Sequence, residues 1–170
     1  MDKNIRRTEL FTNAMSNLLE NKFGMSIDLL NEILVADPDD KLALLARGTA
    51  YMKMGNPQKA ENDFSRVLER DAAHQRAFHL RGLARESQGD DDEALHDFDR
   101  AIEIDPEYGA AYYSRASLLT KMGREDAAAD DIQMIAHLTG ANIESFANEN
   151  NVWRSRQLQV ESILESEMHR

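Results

Sequence analysis

Residues 43–70, ALLARGTAYMKMGNPQKAENDFSRVLER, decide the fold. Ala43 to Met54 carries apolar residues at helical spacing, Gly55-Asn56-Pro57 breaks the run, and Gln58 to Arg70 resumes it, so the stretch reads helix, turn, helix. Residues 77–104, AFHLRGLARESQGDDDEALHDFDRAIEI, read the same way in the same register. Gly48, Gly82 and Ala116 recur at an interval of 34 residues, and so do Ala60, Ala94 and Ala128. Gly55, Gly89 and Gly123 keep that step, as do Phe64, Phe98 and Ile132. One step earlier lie Ala14, Asn21, Ser26 and Leu30, which are chemically similar, so the unit occurs four times.

The turn chemistry agrees with this partition. Gly55, Gly89 and Gly123 fall where the first helix of each unit ends, a place that favours the left-handed conformation, and Asn21 is the next-best substitute there. Asn56 is expected to cap the second helix through its side-chain oxygen, with Pro57 at the first helical position, and Asp90 to cap in the next unit. Asp37-Pro38 and Asp105-Pro106 stop the second helices, whereas Ala72 and Gly140 stand at the corresponding points of the other two units. Small residues at 48 and 60, or 82 and 94, let two antiparallel helices approach while Phe64 or Phe98 fills the space beside them.

Composition bounds the rest. The chain has 170 residues, 42% hydrophobic and 30% charged, which suits one folded domain rather than a disordered or membrane protein. With no cysteine, disulfide frameworks and thiolate metal sites are excluded. The residues Met1 to Met15 include Lys3, Arg6 and Arg7 but no apolar run of the kind found in signal peptides, so a cytoplasmic location is expected. A net charge of -11 opposes adsorption to phosphate backbones and anionic lipid, so neither nucleic acid nor membrane is an expected partner.

The periodic residues resemble the tetratricopeptide repeat, in which large, glycine, tyrosine, alanine, phenylalanine, alanine and proline positions recur over 34 residues. The third unit matches with Phe78, Gly82, Ala94, Phe98, Ala101 and Pro106, and departs at Arg85, where tyrosine is usual. Leu44, Gly48, Tyr51, Ala60, Phe64 and Val67 match in the second unit, and Tyr112, Ala116, Leu119, Ala128, Ile132 and Ile135 in the fourth. The resemblance implies an all-α, right-handed superhelix of antiparallel helix pairs, an α-solenoid, over residues 1–140, in units of about 7–40, 41–74, 75–108 and 109–140.

By the same resemblance the first helix of each pair lines a concave groove that takes a peptide or helix of a partner protein. The groove residues it implies are Phe11, Met15, Leu18, Leu42, Leu45, Met52, Arg76, His79, Leu83 and Tyr113, with Phe11, Met15, Leu42 and Leu45 as an exposed apolar patch. The alternative for each is a place in the core between repeats. The family's carboxylate clamp, which grips acidic chaperone tails with lysine and asparagine, falls here on Phe11, Met15, Ala46, Arg76 and Leu80. Only Arg76 can serve, so that mode is not expected.

Residues 141–170 hold Phe146 and Trp153, one period after Tyr112 and Leu119, and an amphipathic stretch from Val152 to Met168. This segment is expected to cap the stack; the other reading is that it, or a copy from a second molecule, occupies the groove. The run Asp90-Asp91-Asp92-Glu93 lacks the alternating ligands and glycine of a calcium loop and suits a helix N-terminus. Histidines 74, 79, 96, 137 and 169 include no zinc-protease pair, so no metal or other cofactor is expected. No phosphate loop or nucleophile elbow is present, and no catalytic residue is assigned. The function that follows is a scaffold or adaptor rather than an enzyme; the alternative is a self-assembling module, a homo-oligomer joined through groove and tail.

Overall fold

A computed structural model describes residues 3–140, which are folded as helices joined by short turns. The helices are α1 (Lys3–Leu19), α2 (Phe23–Ala36), α3 (Lys41–Lys53), α4 (Pro57–Arg70), α5 (Gln75–Glu86), α6 (Asp91–Ile104) and α7 (Gly109–Lys121). An eighth, α8, occupies residues 125–140, the last described. The C-terminal segment expected to cap the stack lies outside the described residues.

The chain turns by two alternating devices. After each odd helix a residue adopts the left-handed conformation: Asn21 at φ 59°, Gly55 at 72°, Gly89 at 87° and Gly123 at 74°. The following N–H then donates to a carbonyl five residues back, from Lys22, Asn56, Asp90 and Arg124, at 2.8 to 3.0 Å. After even helices an aspartate closes the turn instead. The side chains of Asp37, Asp71 and Asp105 accept from the N–H two residues on. Asp71 explains why the second unit stops without proline.

The helix starts differ from the expected caps. Asn56 and Asp90 stand at the N-cap positions but neither side chain caps, and the Asn56 amide donates to the Met54 carbonyl at 3.2 Å. The working caps are Asp40, accepting from Ala43 N–H at 3.0 Å, and His74, accepting through Nδ1 from Ala77 N–H at 3.2 Å.

Each helix packs on the next in sequence. Odd helices also touch one another, α1 to α3, α3 to α5 and α5 to α7, whereas α2, α4 and α6 do not touch one another. Helices that are close on one side and splayed on the other wrap the stack, with the odd helices on its inner face. This is the superhelix expected. At its centre Phe64 and Phe98 are sealed, and a Cβ added to Gly48 or Gly82 would come within 2.5 Å of those rings. The glycines are therefore required by contact. In the fourth unit Ala116 replaces glycine and Ile132 replaces phenylalanine.

A polar ladder, which the hydrophobic registers alone do not announce, runs through the same interfaces. Arg47 donates from Nε and Nη2 to Asp63 at 2.9 and 2.6 Å, and from Nη1 to Asn31 at 2.7 Å. Arg81 does the same with Asp97, at 2.9 and 2.7 Å, and with Ser65 at 3.4 Å. Arg115 repeats it with Asp131 and Asp99. Each arginine thus ties its own helix to the even helices on both sides, and bidentate geometry makes the rung directional. The Asp131 bond, opposed by burial and aided by Asp99, raises the pKa of Arg115.

Candidate functional site

The inner face is an extended surface to which α1, α3, α5 and α7 contribute in equivalent registers. Of the ten residues expected to line it, three are exposed: Leu42 on α3 at 52%, Tyr113 on α7 at 71%, and Arg76 at the start of α5. Phe11, Met15 and Met52 are half-buried against the core beneath, as is Leu83 farther along the stack. Leu18 is also half-buried. The Arg7 guanidinium lies 5.9 Å from the Phe11 ring centre and ties α1 to α3 through Asp40. Burial works against the Asp40 charge, but Arg7 and the backbone N–H groups of Ala43 and Leu42 together hold its carboxyl below the usual carboxylate range.

Two expected groove residues are not on the surface. Leu45 is 8% exposed and belongs to the core with Leu30, Leu44 and Phe64. His79 is buried between α5 and α7, its Nε2 2.8 Å from Ser114 Oγ and its Nδ1 3.2 Å from Tyr108 Oη. The reason is common to both. Adjacent odd helices pack directly on one another, so a mid-helix side chain in that register is enclosed by its neighbour. The apolar patch expected of Phe11, Met15, Leu42 and Leu45 is accordingly smaller and keeps only Leu42 well exposed.

Burial, with a smaller contribution from the Arg76 charge, lowers the His79 pKa to about 4. The ring is neutral at physiological pH, donating from one nitrogen and accepting at the other. A serine oxygen 2.8 Å from an imidazole has the spacing of a nucleophile and its base. Ser114 is itself buried. The arrangement is a polar tie between two inner helices. Burial also raises the Tyr108 pKa, the Arg76 charge opposing it.

Among the described residues no three histidine, cysteine, aspartate or glutamate side chains converge as a metal site. None of the described helices is long and apolar enough to cross a membrane. Of the five clamp positions only Arg76 is cationic; Phe11 and Leu80 are half-buried and Ala46 is buried.

A family model described as tetratricopeptide repeat matches residues 45–108 and again 79–142, together more than half of the chain. No curated protein matches the sequence. Among solved structures, MamA 41-end from Desulfovibrio magneticus RS-1 is similar with a TM-score of 0.73 and 16% identity, over 79% of this chain and 76% of that one. The first TPR of Spaghetti (RPAP3), bound to the HSP90 peptide SRMEEVD, gives 0.67 and 21% over 72% and 97%. The second TPR domain of human RPAP3, in complex with the HSP70 peptide SGPTIEEVD, gives 0.64 and 23% over 68% and 96%.

Proposed function

The chain belongs to the tetratricopeptide-repeat family, and from that premise we propose that it binds a peptide or helix of a partner protein along the inner face of α1, α3, α5 and α7. In this reading it is a cytoplasmic adaptor with no catalytic step of its own. The observation that carries the proposal is the line of exposed side chains, Leu42, Arg76 and Tyr113, on three successive inner helices above a half-buried apolar floor. An aromatic and an arginine are the residue types that most often anchor a peptide.

The two RPAP3 domains are bound to peptides that both end in Glu-Glu-Val-Asp. Among the described residues, the clamp positions offer such a tail one cation, Arg76. One guanidinium, in a protein of net charge -11, suits a ligand with a single carboxylate set among bulky apolar side chains. The test is selection from a displayed peptide library, followed by titration calorimetry with the enriched peptides and with SRMEEVD. Leu42→Glu and Tyr113→Ala should each weaken the selected peptides about tenfold or more, roughly 1.4 kcal/mol, with unchanged thermal melts because both side chains are exposed. SRMEEVD should bind far more weakly. Selected peptides indifferent to both substitutions, or a preference for SRMEEVD, would refute the proposal.

A further inference from the structure

Asp40 and His74, one period apart, each spend the side chain on capping the helix that follows, at Ala43 N–H and Ala77 N–H. Tyr108 is the next member of that register, and it leaves α7 without a side-chain cap. Its ring reaches back to α5 instead. It stands edge-on to His79, with ring centres 5.4 Å apart and its hydroxyl oxygen 3.2 Å from Nδ1.

The direction of the hydrogen bonds around His79 follows from Ser114. The Ser114 hydroxyl is buried, and the one partner that the described residues give it is His79 Nε2, at 2.8 Å. Were it to accept from Nε2, its own proton would be buried without an acceptor, which is the costly arrangement. Ser114 therefore donates to Nε2, and a neutral imidazole that accepts there carries its proton on Nδ1. Nδ1 in turn donates to Tyr108 Oη, which leaves the phenol proton unspent. The Asp105 carboxylate does not take it, being engaged by Glu107 N–H at 3.0 Å and making no hydrogen bond to the phenol. Burial raises the Tyr108 pKa, opposed by Arg76 and aided by Asp105, so the phenol keeps its proton at neutral pH and can donate it.

Arg76 stands three residues before His79 on α5, on the same face of that helix. Its charge is felt at both His79 and Tyr108, and among the described residues no carboxylate pairs with it. A cation and a directed phenol donor thus meet on the inner face, each with a hydrogen bond to give. We propose that Arg76 and the Tyr108 hydroxyl together hold a carboxylate of the partner segment, while His79 and Ser114 position the phenol proton. A carboxylate has two oxygens to share between the guanidinium and the phenol, and its charge strengthens both bonds. The identity of the partner as a protein segment rests on the peptide-groove reading; the anion subsite does not.

The test is nuclear magnetic resonance on the intact protein. At neutral pH the His79 nitrogen resonances should show the ring protonated on Nδ1, and the Nε2 tautomer overturns the proposal irrespective of any variant. N-acetyl-leucine, which offers a terminal carboxylate, and N-acetyl-glutamate α-amide, which offers a side-chain one, are then titrated beside their uncharged amides. At least one acid should shift the Tyr108 ring and the Arg76 Nε–H together and saturably, the tighter acid identifying the source, and the amides should shift neither. Tyr108→Phe keeps the ring against His79 and removes the proton, so it should weaken the tighter acid about tenfold. Arg76→Gln should weaken it at least as much, with thermal melts checking that both variants stay folded. Acids that behave like their amides, or Tyr108→Phe that binds like the wild type, overturn the subsite. Carboxylate binding by a protein that selects no peptide supports the subsite and removes the groove reading alone.

Discussion

Removing one arginine from the ladder should be far more damaging than removing the whole rung. Asp63 is 3% exposed, and the structure gives its carboxylate one cationic partner, Arg47, through bonds of 2.9 and 2.6 Å. Arg47→Met leaves a buried charge unpaired and orphans the Asn31 acceptor. Breaking a buried pair from one side costs about 3–5 kcal/mol, a large share of the roughly 5–15 kcal/mol that stabilises a domain. With a urea slope of about 2 kcal/mol per molar, a loss near 3 kcal/mol lowers the midpoint by about 1.5 M. Arg47→Met combined with Asp63→Val removes both charges and fills the space with apolar groups, an exchange that is often neutral. The assay is urea denaturation followed by circular dichroism on the wild type, both single variants and the double. A single-variant midpoint within about 0.3 M of wild type, allowing for the ~10–15% error of extrapolation, would refute the reasoning. So would a double variant no better than the worse single.

Three further outcomes are expected. Ser26 is 0% exposed with no partner for its hydroxyl, and alanine fills its register at positions 60, 94 and 128; Ser26→Ala should stabilise by about 1 kcal/mol, read as a higher urea midpoint, and a lower midpoint would show that the hydroxyl is bonded after all. Gly82→Ala should destabilise by about 1–2 kcal/mol, since overpacking of roughly 1–3 kcal/mol outweighs helix propensity of about 1 kcal/mol; adding Phe98→Ile, the pairing seen at Ala116 and Ile132, should relieve part of it, and equal losses in both variants would contradict the contact. His79 has a folded pKa of about 4 against an ordinary 6.5, so its neutral form stabilises the fold above pH 6.5 and that contribution is lost as pH falls from 6.5 towards 4. His79→Gln should flatten the stability profile in that window, and an unchanged slope in melts between pH 7 and pH 4 would exclude His79 as its source.

Much of the architecture was readable because it repeats. The positive φ angles at Gly55, Gly89, Gly123 and Asn21, the stops at Asp37 and Asp105, and the pairing of Gly48 with Phe64 are local or single-period relations. The arginine ladder was readable too, since Arg47, Arg81 and Arg115 lie one period apart and so do Asp63, Asp97 and Asp131. A search confined to apolar and small residues passes over it, because charged residues at helical spacing read by default as solvated. The caps at Asn56 and Asp90 misled for a different reason. Position licenses a cap, but the rotamer decides it, and Asn56 spends its amide on Met54.

The inner face marks where the sequence stops being sufficient. Periodicity alone determined that the chain forms helix pairs at a constant interval, whereas the inward register was an expectation drawn from the family resemblance. How deeply that register is enclosed depends on how closely neighbouring odd helices approach, and each approach is set by side chains from three or four helices at once. Thus Leu42 and Leu45, three residues apart on one helix, end on opposite sides of the surface, and His79 is taken into the core by Ser114 and Tyr108, residues 35 and 29 positions away. Direction is a property of one helix and repeats with its sequence; burial is a property of the assembled stack, and only tertiary packing supplies it.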